Sequence, residues 1–581
     1  MPENPKTLRI IISGEAGHGI LTSADILLHS AAIAGYYSSV FKSIPASIRS
    51  GSSEALITIS EKTITSPVSS FDILFSLCEK YQTGMTSIPV TVKPKQLLFV
   101  QSGSEENRDL SEKTGVFPVP FETLASEIAA SFPALKSMIA LGILSQIAGL
   151  PLEYLEKAVE RHFSDEKKRH RENNINALHT GAEWSKEHLD GIEIFQTSSQ
   201  PLKTGNRIIL EGNQAISLGA LAAGCRYYAS YPITPSTAIG EYLTELLPES
   251  GGAVYQAEDE IAALGSVIGA SFTGVKAMTA TSGPGLSLMQ EFIGYASMAE
   301  IPVVIVDVQR AGPSTGMPTK HSQDDLLAAA FGGHGEAPRI VIAPVNTEDC
   351  FHTTIKAFEL SEKYRCPVII LGDSAQGMIK ETIDNFNPGQ HHPEDGRTSR
   401  HSSGVLKVTG LEHDKEFFPS ENPRIRTEQV IERFAKLDNI EAENVSLTDW
   451  DLEKDNIYEA DFALIAWGGT VPAAREAVDL LRKAGYRAAA MYPRLLFPLC
   501  RESVTHIARF SGNLFVPESN FTGQYSSLIR MNTGIDPISL SLFSGEPFTP
   551  EEIVKRIVKR ISFQKQETTR DCKIPLNRPG L

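Results

Sequence analysis

Residues 302–320 read PVVIVDVQRAGPSTGMPTK, an apolar run rich in β-branched residues that passes into a loop of Gly, Pro, Ser and Thr. A continuous apolar run of this length predicts a strand that is buried on both faces, as in a parallel sheet. The runs at 339–342 and 367–371 predict further strands of the same sheet. This part of the chain therefore predicts a doubly wound α/β domain, because such a sheet carries helices on both faces.

The sequence on either side of this domain is also of α/β type. Residues 8–13 are strand-like and pass through a Gly-rich turn into a helical pattern over 21–34, which predicts a Rossmann-like first domain. After the central domain, a strand-like run at 461–467 is followed by a Gly-Gly turn and a helical pattern at 473–484. The fold class is therefore multi-domain α/β.

Composition sets the boundaries between these blocks in a chain of 581 residues, which is long enough for several domains. The first block covers 1–200 and ends on a polar stretch, and the second covers 201–384. Residues 385–424 are rich in Pro, Gly, His and charge, which predicts a linker on the surface. The third block covers 425–581.

Charge and hydropathy argue against several classes of partner. The formal net charge of −16 disfavours binding to nucleic acid or to anionic lipid. No run of about 18 apolar residues predicts a membrane span, and the first residues lack the pattern of a signal peptide. We therefore expect a cytoplasmic protein.

Six cysteines are scattered along the chain, without a Cys-x-x-Cys pair or a histidine at ligand spacing. This spacing predicts reduced, mostly structural thiols. It also argues against an iron-sulfur cluster or another metal bound by a local motif of this chain.

Three segments of the second block carry residue types suited to chemistry. Arg310 leads the loop that ends the 302–308 strand, and a guanidinium in such a loop is suited to bind a carboxylate, although a long surface turn is the alternative. The segment YPITPST at 231–237 presents the hydroxyls of Thr234 and Ser236 after another strand, where α/β proteins bind ligands. A helix N-cap is the alternative interpretation of that segment.

The third segment contains Glu260 at the start of a helical pattern. Helical spacing places Glu260 on one face with Leu264 and Ile268, so that its carboxylate lies against an apolar wall, which raises the pKa of such a group. The alternative is an acidic first turn that serves only the helix dipole.

A fourth Gly-rich segment, GEAGHG at 14–19, lies between the first strand and the first helix. A helix N-terminus can bind an anion, but the spacing is neither that of a dinucleotide-binding fold nor that of a Walker A loop. A structural tight turn is the alternative.

Several stretches of the second block together resemble the alpha subunit of 2-oxoacid:ferredoxin oxidoreductases. They are EGN at 211–213, YPITPST at 231–237, AEDEIAALGSVIGAS at 257–271, TSGPGLSLM at 281–289, QRAGPSTGMPTK at 309–320 and GGHGEAPRIVIAP at 332–344. The first block resembles the family's gamma domain through GEAGHGI at 14–20. The third resembles a transketolase C-terminal-like domain through WGGT at 467–470 and PESNFTGQ at 517–524.

The resemblance implies a fused gamma-alpha subunit whose second block, a pyrimidine-binding domain, contacts thiamine diphosphate. It implies that Glu260 binds the aminopyrimidine nitrogen of the cofactor, that Thr234 contacts the substrate, and that Arg310 and Thr319 bind the substrate carboxylate. It further implies cofactor contacts from four other residues: Pro232, Ile233, Ser314 and Thr315.

The resemblance also implies partners. The segment Gly372-Asp373-Ser374 does not match the Gly-Asp-Gly signature of a diphosphate site, so a beta subunit is expected to carry the diphosphate, Mg²⁺ and an iron-sulfur cluster. Coenzyme A, ferredoxin and a dimer of heterodimers complete the expected system.

The expected substrate is a 2-oxoacid, with 2-oxoglutarate favoured over the alternatives of pyruvate or a broad range of 2-oxoacids. Lys42, Arg49 and Lys320 are the candidate cations for a second substrate carboxylate. Two alternative functions remain open: a non-catalytic assembly or regulatory subunit, and a transketolase-like transferase.

Overall fold

The computed structural model describes most of the chain. The described residues are 7–15, 17–43, 52–68, 70–78, 96–103, 115–129, 132–163, 168–189, 191–192, 195, 207–384, 409–443, 447–452 and 460–571.

The first block is a twisted sheet with helices packed against it. Its strands are β1 (Thr7–Glu15), β2 (Tyr37–Ser43), β3 (Ser52–Ser60), β4 (Ile73–Ser76), β5 (Leu97–Gln101) and β6 (Val116–Val119). Its helices are α1 (Ile20–Ile33), α2 (Phe121–Ile128), α3 (Leu135–Ile147), α4 (Leu152–His162) and α5 (Lys168–His188). The strand order is β6-β5-β4-β1-β3-β2, with β1, β4, β5 and β6 parallel and β3 antiparallel to both β1 and β2. The expected strand at 8–13 and helix at 21–34 are confirmed.

The second block contributes most of the elements around the central sheet. Its strands are β7 (Arg207–Glu211), β8 (Tyr227–Ser230), β9 (Ala253–Gln256), β10 (Ala277–Thr281), β11 (Val303–Gln309), β12 (Ile340–Ile342), β13 (Pro367–Asp373) and β14 (Lys380–Asp384). Its helices are α6 (Gly212–Ala222), α7 (Thr237–Leu246), α8 (Glu260–Phe272), α9 (Gly283–Met298), α10 (Leu326–Phe331), α11 (Thr347–Tyr364) and α12 (Ser374–Met378).

The third block begins with a long helix. Its helices are α13 (Pro423–Glu443), α14 (Val471–Lys483), α15 (Arg501–Ala508), α16 (Gln524–Thr533) and α17 (Pro550–Asp571). Its strands are β15 (Thr448–Leu452), β16 (Phe462–Ile465), β17 (Ala488–Pro493), β18 (Leu495–Phe497), β19 (Leu514–Glu518) and β20 (Ile538–Ser541). Five of these strands form a sheet in the order β15-β17-β16-β19-β20.

The central sheet follows the order β18-β12-β13-β11-β10-β8-β9, and all of its strands from β12 to β9 run parallel. Strands β11 and β13 are buried along their whole length, as the apolar runs predict. The multi-domain α/β class and the doubly wound central domain are confirmed. Because the carboxyl ends of parallel strands meet at one edge, the loops after β8, β9, β10 and β11 converge there.

The three blocks share strands across their boundaries. The sequence indicates that residues 207–210 open the second block, but β7 pairs with β14, which pairs with β2 at the edge of the first sheet. In the same way, β18 of the third block pairs with β12 of the central sheet. These pairings join backbone edges that would otherwise be open.

Packing between the blocks is also continuous. One buried apolar cluster contains Leu264 and Ile293 from the central block and Trp467, Met491 and Tyr525 from the third.

No helix in the part of the chain that the structure describes is long and apolar enough to cross a bilayer. The five described cysteines are buried and form no disulfide with one another: Cys78, Cys225, Cys350, Cys366 and Cys500.

Candidate active site

Glu260 is the first residue of α8 and is only 6% exposed. Leu264 and Ile268 are buried on the same face of the helix, as helical spacing predicts. The cap of this helix is Asp259, whose side chain accepts a hydrogen bond from the Ala262 N–H at 2.7 Å. Because Asp259 performs the capping, the Glu260 carboxylate is not needed for it.

The Glu260 carboxylate faces the turn at the start of α9. A Cβ atom built on Gly285 would lie 2.7 Å from Glu260 Oε1 and 2.0 Å from Thr281 Oγ1, so only glycine fits at this position. Among the described residues, no hydrogen bond to the Glu260 carboxylate is formed. The carboxylate is therefore available to a hydrogen-bond donor from outside the chain.

These features fit the pyrimidine half of thiamine diphosphate. A ring nitrogen that carries a proton is a donor suited to a buried carboxylate, and the absence of a side chain at Gly285 leaves the carboxylate approachable from that side. The position of Glu260 is therefore compatible with the expected contact to the aminopyrimidine ring.

Arg310 and Thr234 come together across the edge of the sheet. Arg310 lies just beyond the end of β11, is 8% exposed, and donates a hydrogen bond from Nη1 to the Thr234 carbonyl oxygen at 2.8 Å. Burial lowers the pKa of the guanidinium, and the charge of Asp325 partly offsets this. The Arg310 Nε atom is buried and has no hydrogen-bond partner among the described residues.

The segment 231–237 is not a side-chain helix cap. The Ser236 hydroxyl is buried and donates to the Ile233 carbonyl oxygen at 2.9 Å, so it is not presented as the sequence indicates. Thr234 and Pro232 are exposed, and Ile233 is half-buried. Thr234 therefore lies exposed at the surface beside Arg310, and its expected contact with the substrate stays a prediction.

The loop after Arg310 is held by its own backbone. The Met317 N–H donates to the Ala311 carbonyl oxygen at 2.8 Å, which closes the loop below its tip. Ser314 and Thr315 are exposed at that tip, and Thr319 is half-buried nearer the base. The expected roles of Ser314, Thr315 and Thr319 stay predictions.

Two of the candidate cations are already paired with carboxylates. Lys42 Nζ lies 2.9 Å from Asp25 Oδ2, and Lys320 pairs with Glu546 while it donates to Ser43 Oγ at 2.8 Å. Lys320 thereby links the loop at 309–320 to the first and third blocks. The third candidate, Arg49, lies outside the described residues.

Glu54 lies beside this junction, opposite Ser43 in the pairing of β2 with β3. Burial, followed by the nearby Glu546 carboxylate, raises the pKa of Glu54 to about 8, while the Lys320 charge works in the opposite direction. The junction therefore contains one ion pair and one carboxyl group that stays largely protonated near neutral pH.

Asp373, the aspartate of the Gly372-Asp373-Ser374 segment, contacts other residues of this chain. It is 1% exposed, its Oδ1 lies 3.3 Å from His321 Nδ1, and its Oδ2 accepts from the Gly469 N–H at 2.8 Å. The His321 Nε2 atom lies 2.9 Å from Ser519 Oγ. Although burial works against it, the His321 charge holds the pKa of Asp373 below its usual range. This buried chain of contacts joins the second and third blocks.

Two further acidic residues stand near Arg310, and the sequence interpretation missed both. Asp307 lies in β11 with both carboxylate oxygens buried and without a partner among the described residues, and Asp325 follows the loop. Burial raises the pKa of both groups. An aspartate inside the apolar run VVIVDV was the available signal.

The N-terminal turn at 14–19 is closely packed. A Cβ atom on Gly19, whose φ is +76°, would lie 2.9 Å from the Ala134 carbonyl oxygen. The His18 Nδ1 atom accepts a hydrogen bond from the Glu15 N–H at 3.2 Å. At Gly19 the structure therefore supports the interpretation as a tight structural turn.

Family models match each of the three blocks. The model described as pyruvate flavodoxin/ferredoxin oxidoreductase, thiamine diphosphate-binding, matches residues 218–432. The pyruvate ferredoxin/flavodoxin oxidoreductase model matches 9–184, and core domain II of pyruvate:ferredoxin oxidoreductase matches 460–545. A curated relative, the 2-oxoacid:ferredoxin oxidoreductase subunit alpha of a Sulfolobus species, is 30% identical over 95% of this chain and 96% of its own length.

The chain belongs to the 2-oxoacid:ferredoxin oxidoreductase family. Within this family of oxidoreductases it is a fused gamma-alpha subunit, because the gamma-type and thiamine-binding parts form one chain. The KorA subunit of 2-oxoglutarate synthase from Methanothermobacter thermautotrophicus is 38% identical over 60% of this chain and 98% of its own length.

A solved structure of the family covers nearly the whole chain. It is 2-oxoglutarate:ferredoxin oxidoreductase from Magnetococcus marinus with 2-oxoglutarate, coenzyme A and succinyl-CoA bound. It is 33% identical, has a TM-score of 0.87, and the match covers 96% of this chain and 100% of that one. The recognition of the family from its motifs is confirmed.

Proposed function

We propose that this chain is the gamma-alpha subunit of a 2-oxoglutarate:ferredoxin oxidoreductase, which converts 2-oxoglutarate and coenzyme A to succinyl-CoA and CO₂ and passes electrons to ferredoxin. The observation that carries the proposal is the buried Glu260 carboxylate facing Gly285, with Arg310 and Thr234 at the same edge of the sheet. The whole-length likeness to a protein solved with 2-oxoglutarate, coenzyme A and succinyl-CoA supports this choice of substrate.

Thiamine diphosphate, when bound, supplies the carbon nucleophile and stabilises the negative charge left by decarboxylation. Glu260 holds the proton at the aminopyrimidine nitrogen, and its burial strengthens this hydrogen bond because the local dielectric is low.

Arg310 binds the substrate carboxylate next to the keto group. Its Nη1 atom is held by the Thr234 carbonyl oxygen, which fixes the guanidinium before the substrate arrives, while the unpartnered Nε atom retains a donor. Thr234 and Thr319 contact the substrate from the two loops. Pro232, Ile233, Ser314 and Thr315 complete the walls of the cofactor site.

A beta subunit completes this site with the diphosphate-binding residues, Mg²⁺ and an iron-sulfur cluster. Asp373 is occupied by His321 and by backbone N–H groups of this chain, which supports a diphosphate site on another chain. Exposed apolar side chains flank the site residues, as is typical of a surface that a partner covers: Tyr231, Ile261, Leu288, Phe521 and Phe543. The full assembly is a dimer of such heterodimers, and we place it in the cytoplasm.

The domain boundaries proposed with this function are 1–200 for the gamma domain, 201–384 for the pyrimidine-binding domain and 425–581 for the transketolase C-terminal-like domain. The segment 385–424 serves as the linker.

A non-catalytic subunit is the second candidate function, but it gives no reason for a buried glutamate without a hydrogen-bond donor. A transketolase-like transferase gives no reason for the gamma-type block.

The experiment is coenzyme A-dependent reduction of a viologen dye by this chain purified with its beta partner, with 2-oxoglutarate and pyruvate compared at equal concentrations. A higher kcat/KM for 2-oxoglutarate supports the proposal in full. A higher value for pyruvate retains the mechanism and replaces the substrate, whereas no activity with either 2-oxoacid favours the non-catalytic subunit.

A further inference from the structure

The mechanism above does not use two acidic side chains: Asp307, which lies in β11 and precedes Arg310, and Asp325, whose charge acts on Arg310. Asp307 is completely buried in β11, and neither of its carboxylate oxygens has a hydrogen-bond partner among the described residues. Asp325 is partly exposed, but its Oδ2 atom is buried and likewise lacks a partner in the described part of the chain. The free-energy cost of burying an unpaired carboxylate is so high that such a group either keeps its proton or lies close to a cation.

The position of Asp325 links the site residues to one another. The Asp325 N–H donates to Gln309 Oε1 at 3.0 Å, which ties Asp325 to the residue before Arg310. A Cβ atom on Gly283 would lie 2.5 Å from Asp325 Oδ2, so the carboxylate lies against the start of the turn that also holds Gly285. The same turn therefore has Asp325 at one end and Glu260 at the other.

We infer that Asp325 is a positioning residue for the substrate: as it changes between its neutral and ionised forms beside Arg310, it sets how much of the guanidinium charge is left for the 2-oxoacid carboxylate. This inference rests on the proposed function. When Asp325 is neutral, Arg310 offers its full charge to the substrate. When Asp325 is ionised, it competes with the substrate for that charge.

The charged groups around Asp325 favour a neutral form that is populated near neutral pH. Burial and then the neighbouring Asp324 raise the pKa of Asp325 to about 7, and Arg310 works in the opposite direction. Asp307 faces Asp325 from β11, and burial followed by repulsion from Asp325 raises its pKa as well, so Asp307 keeps its proton. His321 acts on Asp324, whose pKa burial raises. Across the Gly283–Gly285 turn, Glu260 adds a further acidic group.

The sign of the effect follows from these charges. As pH rises through about 7, Asp325 loses its proton and partly neutralises Arg310. The KM for 2-oxoglutarate should therefore rise, while kcat changes less because Glu260 and the cofactor are not altered. We expect KM to rise about tenfold between pH 6 and pH 8.5, which corresponds to a loss of about 1.4 kcal/mol in the free energy of substrate binding.

The first arm of the test measures KM and kcat from pH 6 to pH 8.5 with the chain purified together with its beta partner. Asp325→Asn should keep KM at its low value throughout, because the side chain cannot ionise. Asp324→Asn, a second variant, should move the midpoint of the KM profile to lower pH, because it removes a like charge from Asp325. Asp479→Asn is the control, since Asp479 is an exposed aspartate on α14.

The second arm does not depend on turnover. Infrared difference spectra of the full chain between pH 6 and pH 8.5 should show the loss of carboxylic acid bands. Asp325→Asn should remove one of them, and Glu54→Gln, which lacks a carboxyl group with a pKa of about 8, should remove another. A wild-type KM that is constant with pH, or an Asp325→Asn variant that keeps the wild-type KM profile, would overturn the inference. If the wild type turns over no 2-oxoacid, the proposed function fails and the substrate role of Asp325 fails with it, while the infrared arm still reports whether Asp325 titrates.

Discussion

Gly285→Ala should damage the active site more than it damages the fold. The new Cβ atom would lie 2.0 Å from Thr281 Oγ1 and 2.7 Å from Glu260 Oε1, well short of the 3.4 Å at which ordinary contact begins. The Glu260 carboxylate is the end of a flexible side chain, so it will move away rather than unfold the helix. Overpacking of this kind costs about 1–3 kcal/mol of stability.

The expected loss of activity is larger because a displacement of about 1 Å at a catalytic group typically costs about 100-fold in rate. The assay is coenzyme A-dependent viologen reduction by the complex with the beta subunit, together with thermal unfolding of the same preparations. We expect kcat to fall at least about 100-fold for Gly285→Ala, with a folded protein still recovered.

Gly294→Ala is the matched control on the same helix. A Cβ atom on Gly294 would have no atom within 4 Å, so alanine should keep full activity and stabilise α9 by about 0.5–1 kcal/mol. Wild-type kcat in Gly285→Ala would refute the assigned position of Glu260. Equal losses in both variants would show that the effect is not specific to that carboxylate.

Two further changes test the contacts that join the blocks. Asp373→Asn should lower the melting temperature by several degrees, because the buried side chain loses charge-assisted hydrogen bonds worth about 2 kcal/mol. The control is Asp479→Asn. Equal melting temperatures for the two variants would contradict this prediction. Glu54→Gln should flatten the pH dependence of stability. The folded protein holds the Glu54 proton up to a pKa of about 8, against 4.5 for the ordinary group, so Glu54 by itself lowers stability by up to about 1.4 kcal/mol per pH unit as pH rises across that window. In unfolding curves at pH 5, 6.5 and 8, stability should therefore fall more steeply with pH in the wild type than in Glu54→Gln.

Local patterns were sufficient to predict the central sheet and the place of Glu260. The apolar runs that become β11 and β13 can only be buried strands, and helical spacing alone puts Glu260 on the face of Leu264 and Ile268. The Gly-rich and Pro-rich loops follow these strands, so their meeting at one edge of the sheet follows from the parallel topology.

Contacts between distant segments could not be predicted in this way. Nothing in the local sequence of β7 or β14 indicates that they extend the first sheet, because backbone pairing at a sheet edge carries little side-chain information. The contact of Asp373 with His321, and of His321 with Ser519, likewise depends on how the second and third blocks pack. For Asp307, by contrast, a signal was present, since an aspartate in an apolar strand needs a specific environment.

The central claim is that Glu260 serves the cofactor ring, and proton exchange tests it most directly. The measurement is hydrogen-deuterium exchange at the thiazolium carbon of thiamine diphosphate bound to the complex of this chain with its beta subunit, for the wild type and Glu260→Gln. We predict fast exchange in the wild type and exchange slowed at least about 100-fold in the variant, with folding and assembly retained. Undiminished exchange in Glu260→Gln would contradict the account.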